Sequence, residues 1–178
     1  MPYALVIYFN KQSEKPIRNL WKRIARADIT SSLPDSGIRP HLTLSVFDKI
    51  ECLPCEHELE DFVQRMQVLN LEASHFGVFS NPQPVVFIAP TPTRDLILFH
   101  QKVIDSLFLD PSSTKKMYQP GKWVPHCTVA LDFERDKLSQ IMKICIELPL
   151  PFNLQPTQVG VVGFQPITPI FDFNLKPV

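Results

Sequence analysis

The stretch RPHLTLSVFD (residues 39–48) has the alternating pattern of a strand, and it returns later in the chain as VPHCTVALDF (residues 124–133). Each copy contains proline, histidine, a variable residue and threonine in that order. Residues two apart in a strand share a face, so His41 and Thr43 point to one side while the leucines beside them point to the other. The apolar face can fill a core, and the polar pair can line a surface.

The sequence around each copy predicts the same order of elements, namely strand, helix, strand, helix, strand. In the first set these are strands 3–9, 41–47 and 71–79 and helices 14–28 and 56–68. In the second set they are strands 85–89, 126–131 and 157–164 and helices 94–109 and 138–145, with one further strand at 170–175. This is the pattern of a duplication. If the two halves face each other about a pseudo-two-fold axis, the two polar pairs meet in one cleft.

The composition favours one intracellular domain. With 178 residues and 44% hydrophobic content, the chain can bury one substantial core. Lys plus Arg and Asp plus Glu number 18 each, so no net field exists to hold a long nucleic acid. The start, MPYALVIYFN, has neither the basic region of a signal peptide nor the length of a membrane span. We therefore expect a cytoplasmic or nuclear monomer with no obligate protein partner and with free thiols at Cys52, Cys55, Cys127 and Cys145.

Two histidines that flank one substrate suit acid-base chemistry. The reference pKa of imidazole, about 6.5, lets one ring be neutral and the other protonated near neutrality. His126 and Thr128 of the second copy match His41 and Thr43, and threonine hydroxyls can donate to phosphoryl oxygens. The arrangement predicts attack on phosphorus without a metal, with a ribose 2′-hydroxyl or 2′,3′-cyclic phosphate as the natural substrate. One such motif is common by chance, whereas two in equivalent strands favour a functional site.

On these motifs the chain resembles the two-histidine (2H) phosphoesterase superfamily, and RPHLTLSVF and KWVPHCTVALDF look closest to its RNA ligase-like, 2′,3′-cyclic phosphodiesterase branch. The resemblance covers nearly the whole chain. It implies an α+β fold with two lobes related by a pseudo-two-fold axis. Two antiparallel sheets would surround a central cleft, with helices on the outer faces and the motifs 41–44 and 126–129 lining the cleft. Residues 1–178 would form this one bilobal domain, with no required cofactor and no metal.

The same resemblance implies roles for four residues. His41 and His126 would be the catalytic pair, with His41 as proton donor and His126 as proton acceptor, roles that exchange when the reaction reverses. Thr43 and Thr128 would hold the phosphate.

The implied activity is metal-independent cleavage of a 2′,3′-cyclic phosphate or a 2′-5′ linkage. The binding partner would be a nucleotide with a cyclic phosphate or an RNA 3′ end, and the neutral net charge favours short substrates. A 3′-end RNA exonuclease and an ADP-ribose cyclic phosphodiesterase remain alternatives within the superfamily. An alternative of another class is a binding module that captures a nucleotide or RNA end without turnover.

Further substrate contacts are predicted around the motifs. Ser45 would continue the face of His41, although Ala130 takes the matching place in the second copy. Tyr118 or Trp123 could stack on a base and Lys122 could meet a phosphate, while simple packing between lobes is an equal alternative. Many relatives carry an arginine shortly after the second motif, and here the nearest is Arg135.

The remaining candidates are interpreted as structural. CLPCEH (residues 52–57) has partial zinc-ligand spacing, but no second Cys/His pair follows at a suitable distance, so an enzyme with zinc is the weakest reading. Cys127 is predicted on the core side of its strand, and His75 and His100 are taken as ordinary strand and helix residues. The basic stripe on the first helix is interpreted as a solvated face rather than an RNA contact; it consists of Lys15, Arg18, Lys22 and Arg26.

Overall fold

The chain folds into eight strands and five α-helices in the described part of a computed structural model, which comprises residues 2–48, 56–66, 69–107, 114–164 and 166–176. The strands are β1 (Tyr3–Phe9), β2 (His41–Phe47), β3 (Leu71–Phe79), β4 (Val85–Pro90), β5 (Cys127–Ala130), β6 (Phe152–Leu154), β7 (Pro156–Gly163) and β8 (Thr168–Asn174). The helices are α1 (Lys11–Arg26), α2 (Ser32–Asp35), α3 (Glu56–Arg65), α4 (Arg94–Leu107) and α5 (Leu138–Cys145).

The strands form two four-stranded antiparallel sheets of matching order. The first sheet runs β2-β1-β7-β8 and the second runs β5-β4-β3-β6. A pseudo-two-fold relation therefore maps β2 onto β5, β1 onto β4, β7 onto β3 and β8 onto β6. The predicted α+β fold with two antiparallel sheets is confirmed, and both motif strands are edge strands.

The sheets do not coincide with the two halves of the duplicated sequence. β3 belongs to the first half but pairs with β4 of the second, and β7 belongs to the second half but pairs with β1 of the first. Each half thus gives its third strand to the other sheet. The second sheet is built from one continuous part of the chain, whereas the first joins its two ends.

β1 shows why the sequence forms a central strand. All seven residues of YALVIYF are buried, as expected for a strand that is covered on both faces and reads as one apolar run. Leu5 and Ile7 lie in the main core, while Ala4, Val6 and Tyr8 belong to a smaller cluster on the opposite face. That second face is the one that carries the motif side chains.

α1 begins at Lys11, three residues before its predicted start, because Asn10 caps it. The Asn10 side chain accepts a hydrogen bond from the Ser13 amide at 2.8 Å and so satisfies one of the free donors of the first turn. The apolar face that the sequence predicts is buried, with Ile17, Leu20, Trp21 and Ile24 all inside the core.

The helices connect the two sheets. α1 follows β1 of the first sheet but contacts β5 and β6 of the second, and α5 packs beside it. α3 and α4 contact β8 and β2, which are the two edges of the first sheet. β6 was not predicted, because a three-residue strand is too short to show an alternating pattern. Among the described helices, none has the length and apolar character needed to cross a membrane.

Candidate active site

Both motif histidines are oriented by the same hydrogen bond, from the ring to the backbone two residues earlier. The Nδ1 of His41 lies 2.7 Å from the carbonyl oxygen of Arg39, and the Nδ1 of His126 lies 2.7 Å from that of Val124. A carbonyl oxygen only accepts, so Nδ1 carries the proton in both rings. The intervening proline favours the extended backbone that brings each carbonyl back to its ring. Nε2 of each ring takes no part in this bond.

A β-bulge follows the threonine in both motif strands. Val6 pairs with Thr43 but Leu5 pairs with Ser45, so Leu44 is the extra residue of β2. In the second sheet Phe87 pairs with Thr128 and Val86 with Ala130, so the extra residue of β5 is its equivalent, Val129. The duplication therefore extends to the irregularities of the strands.

The bulge corrects the prediction for Ser45. Because one residue is inserted, Ser45 faces the core beside Leu5 instead of continuing the face of His41. Its side chain is fully buried, and its Oγ has no hydrogen-bond partner among the described residues. Ser45 is therefore not a substrate contact, and Ala130 occupies the same core position in the other sheet.

The two motif strands lie side by side although they belong to different sheets. The backbone of His41 lies close enough to the Cys127 sulfur to lower the pKa of that thiol, and the charge of His126 lowers the pKa of His41. The structure thus brings His41 and His126 into one site. Thr43 and Thr128 lie on the same strand faces as these histidines, by their pairing with Val6 and Phe87.

Burial sets the charge state of the site. It lowers the pKa of both His41 and His126 below the ordinary imidazole value, and the bond from each Nδ1 offsets this only in part. A charge on His126 lowers the pKa of His41 further. Burial also raises the pKa of Cys127 to about 12, which keeps this core residue a thiol. Cys127 and Cys145 are both free.

Each bulged strand accepts a hydrogen bond from a tryptophan that belongs to the other half of the chain. The Trp123 indole donates from Nε1 to the Thr43 carbonyl oxygen at 2.9 Å, and the Trp21 indole donates to that of Thr128 at 3.0 Å. Trp123 is only 7% exposed, so its predicted role as a base-stacking residue is wrong. It positions the first motif instead.

His100 completes this support and was not recognised from the sequence. Its ring is buried and stacks on Trp123 with centroids 4.0 Å apart, and its Nε2 lies 2.9 Å from the Leu44 carbonyl oxygen. Two consecutive carbonyls of the first bulge are thereby fixed. No local pattern distinguishes such a histidine from a solvated helix residue.

The other predicted contacts lie around this support. Tyr118 is half-buried, and burial raises the pKa of its hydroxyl, so its ring packs rather than standing free. Lys122 is exposed. Arg135 donates to the carbonyl oxygen of Asn81 at 2.9 Å.

An aromatic wall flanks His126. Phe79 and Phe87 place their ring centroids 4.8 and 5.4 Å from that of His126. Phe87 can lie in this position because Gly77 has no side chain, since a Cβ there would come within 2.3 Å of the ring.

The cysteine segment and the basic stripe are the candidates that the sequence interpreted as structural. Cys52 and Cys55 lie outside the described residues, His57 is exposed on α3, and the described ranges contain no group of three or more residues that could hold a metal. Arg18 of the basic stripe pairs with Glu14 at 2.9 Å. A groove of about 870 Å³ between α3 and α4 is lined by none of the motif residues.

Comparison with known proteins agrees with this geometry. A family model described as the 2′-5′ RNA ligase superfamily matches residues 16–163. A Bacillus licheniformis protein, provisionally named a phosphoesterase, is 26% identical over 145 residues, which span 80% of this chain and 78% of the relative.

Solved structures show the same fold. Escherichia coli LigT complexed with 3′-AMP superposes with a TM-score of 0.57 at 15% identity, over 98% of this chain and 97% of LigT. LigT in its apo form gives 0.55 at 18% identity, over 99% and 98% of the two chains.

Proposed function

The chain belongs to the 2′-5′ RNA ligase superfamily, and on this premise we propose that it is a metal-independent phosphoesterase that acts on a 2′,3′-cyclic phosphate or a 2′-5′ linkage. The substrate would be an RNA end or a small nucleotide. The provisional phosphoesterase name of the Bacillus relative and the 3′-AMP complex of LigT support this class of activity and ligand.

The observation that carries the proposal is the matched pair of Nδ1 bonds at His41 and His126. A general base needs a free lone pair and a general acid needs a proton, in both cases at a nitrogen that faces the substrate. Fixing the proton on Nδ1 leaves Nε2 for this purpose in both rings. A residue with a purely structural role has no need of this symmetry.

The proposed reaction moves one proton at each histidine. The neutral Nε2 of one histidine takes a proton from water as the water oxygen attacks phosphorus. The protonated Nε2 of the other gives its proton to the departing ribose oxygen as the phosphorus–oxygen bond breaks. The hydroxyls of Thr43 and Thr128 donate to the non-bridging oxygens, where negative charge increases in the transition state.

The interaction between the two histidines bears on which one donates a proton and which one accepts it. The family resemblance assigns proton donation to His41. In the ligand-free protein the charge of His126 lowers the pKa of His41, so the pair disfavours a proton on both rings at once. We propose that one charged and one neutral histidine face the cyclic phosphate, with His41 as the acid and His126 as the base when it is opened, and the reverse reaction exchanges the roles.

The test is turnover of adenosine 2′,3′-cyclic phosphate and of an oligonucleotide that ends in a cyclic phosphate, with excess EDTA present. His41→Ala and His126→Ala should each lower kcat by about 10²- to 10⁴-fold, the usual contribution of one acid or base. His57→Ala, which removes an exposed histidine of α3, is the matched control and should leave turnover unchanged.

Retained turnover in the double variant would refute the proposed mechanism. Tight binding of the oligonucleotide without any conversion by the wild-type protein would identify a binding module instead. Identification of the products by chromatography distinguishes hydrolysis of the cyclic phosphate from shortening of the RNA 3′ end.

A further inference from the structure

A row of polar side chains crosses the first sheet on the face of His41. Arg39, just before β2, extends over Tyr8 of β1 to Gln158 of β7, where its Nη1 donates to Oε1 at 2.7 Å. Gln158 in turn donates from Nε2 to Oδ1 of Asp172 in β8 at 3.0 Å. The row therefore spans the whole width of the sheet.

The edge of the Arg39 guanidinium is occupied by the protein itself. Nε donates to Oε1 of the buried Glu14 at 2.9 Å, Nη2 lies 2.9 Å from the same oxygen in an ion pair, and Nη2 donates to the Phe9 carbonyl oxygen at 3.1 Å. Together with the bond from Nη1 to Gln158, every nitrogen of the guanidinium has a partner in the protein. Arg39 therefore lacks the pair of parallel donors with which arginine grips a phosphate.

The part of Arg39 that remains available to a ligand is one face of its guanidinium. Its Cζ lies 4.6 Å from the Tyr8 ring centroid, so one face covers that ring. The side chain of Arg39 is still 38% exposed. Because the nitrogens have partners and Tyr8 lies on one side, the side away from Tyr8 is the part of the guanidinium left for a ligand. An open guanidinium face is a surface on which nucleobases stack.

The open face lies close to the reacting groups. Tyr8 pairs with His41 across the ladder, and their ring centroids are 6.3 Å apart in an edge-to-face arrangement. The side chains of Arg39 and His41 therefore both pack against the Tyr8 ring.

The pseudo-two-fold equivalent has no such surface. By the strand pairing, Val124 stands in the place of Arg39, Ala89 in that of Tyr8, and His75 in that of Gln158. The two walls of the cleft therefore differ in chemistry although their strands match.

We propose that the open face of Arg39 stacks on the nucleobase of a nucleotide whose phosphate lies between His41 and His126. The inference rests on the proposed function, because it takes the position of the phosphate from it. It sets the orientation of the substrate, with the base toward the first sheet.

The test measures binding, so it is independent of turnover. Isothermal titration compares adenosine 3′-monophosphate with ribose 3-phosphate, which lacks the base. The wild-type protein should bind the adenosine compound about tenfold more tightly, the order expected for stacking of one base. Arg39→Lys keeps the charge beside Glu14 but removes the plane, so the preference should fall to within about twofold while affinity for ribose 3-phosphate stays unchanged.

Arg18→Lys is the matched control, because Arg18 pairs with the same Glu14 but has no bond to Gln158. It should retain the full preference. If Arg39→Lys does not fold, Arg39→Met combined with Glu14→Gln removes the plane and the buried charge together and is expected to give the same loss of preference.

A preference that persists without Arg39, or an equal loss of affinity for both ligands, would overturn the inference. So would a wild-type protein that does not prefer the adenosine compound. If the proposed function is wrong, the turnover assay shows no conversion of cyclic phosphates. The binding comparison can still be interpreted in that case, because it does not depend on turnover.

Discussion

The chemistry proposed for His41 and His126 depends on which of the two rings carries a proton at Nε2. His41 and His126 each follow a proline, each have an Nδ1 bond to the carbonyl oxygen two residues earlier, and each are half-buried. Two such similar groups can act as acid and base at once only if their protonation differs. The pair itself supplies this difference, since a proton on one ring disfavours a proton on the other.

We expect His41 to titrate below the ordinary imidazole pKa, with part of this shift coming from His126. Burial lowers the pKa of both rings, and for His41 the charge of His126 is a further cause. Two-dimensional NMR of the ring protons from about pH 8 to pH 5 measures both curves. In His126→Ala the titration of His41 should move to higher pH. An unchanged curve in that variant would show that the two rings do not interact.

At the level of the strands, the bulges at Leu44 and Val129 decide which side chains reach the site. The sequence correctly predicted the motif strands and the shared face of each His-Thr pair. It could not predict the bulges, because an inserted residue leaves no mark in an alternating pattern of four to seven residues. The same limit explains the wrong prediction for Ser45, whose face depends on that single insertion.

Ser45 and Ala130 allow a matched exchange at equivalent core positions. Ser45→Ala removes a buried hydroxyl that has no partner in the described structure, so it should leave the protein equally or more stable. Ala130→Ser puts an unsatisfied hydroxyl in the same setting and should cost about 1–3 kcal/mol. Urea unfolding measures both. A strongly destabilising Ser45→Ala would show that the hydroxyl does have a partner.

In the molecule as a whole, supports for one motif come from the other half of the chain. The bonds from Trp123 to β2 and from Trp21 to β5 join distant parts of the sequence. The repeat of elements and the pairing of the two motifs could be predicted from periodicity and from the recurring PHxT pattern. The indole bonds, His100 and Arg39 could not, because tertiary contacts between single polar groups follow no local pattern.

The whole fold should lose stability as the pH falls below neutrality. His41, His100 and His126 all have a pKa below the ordinary value in the folded protein. Below about pH 6.5 the unfolded chain binds protons that the native state does not, so stability decreases until the folded pKa values are reached. Urea midpoints between about pH 7.5 and pH 5.5 test this. His100→Gln, which removes one of these three groups, should weaken the pH dependence.

The exchange of β3 and β7 between the halves has a consequence for how the protein is made. On the ribosome, every strand of the second sheet emerges before β7, so that sheet can be complete while β1 still lacks β7, a neighbour about 150 residues further along the chain. The sheet that carries His41 is therefore completed only after both motifs have been synthesised. A chain that stops before β7 contains both motifs but lacks the strand that lies next to β1 in the first sheet.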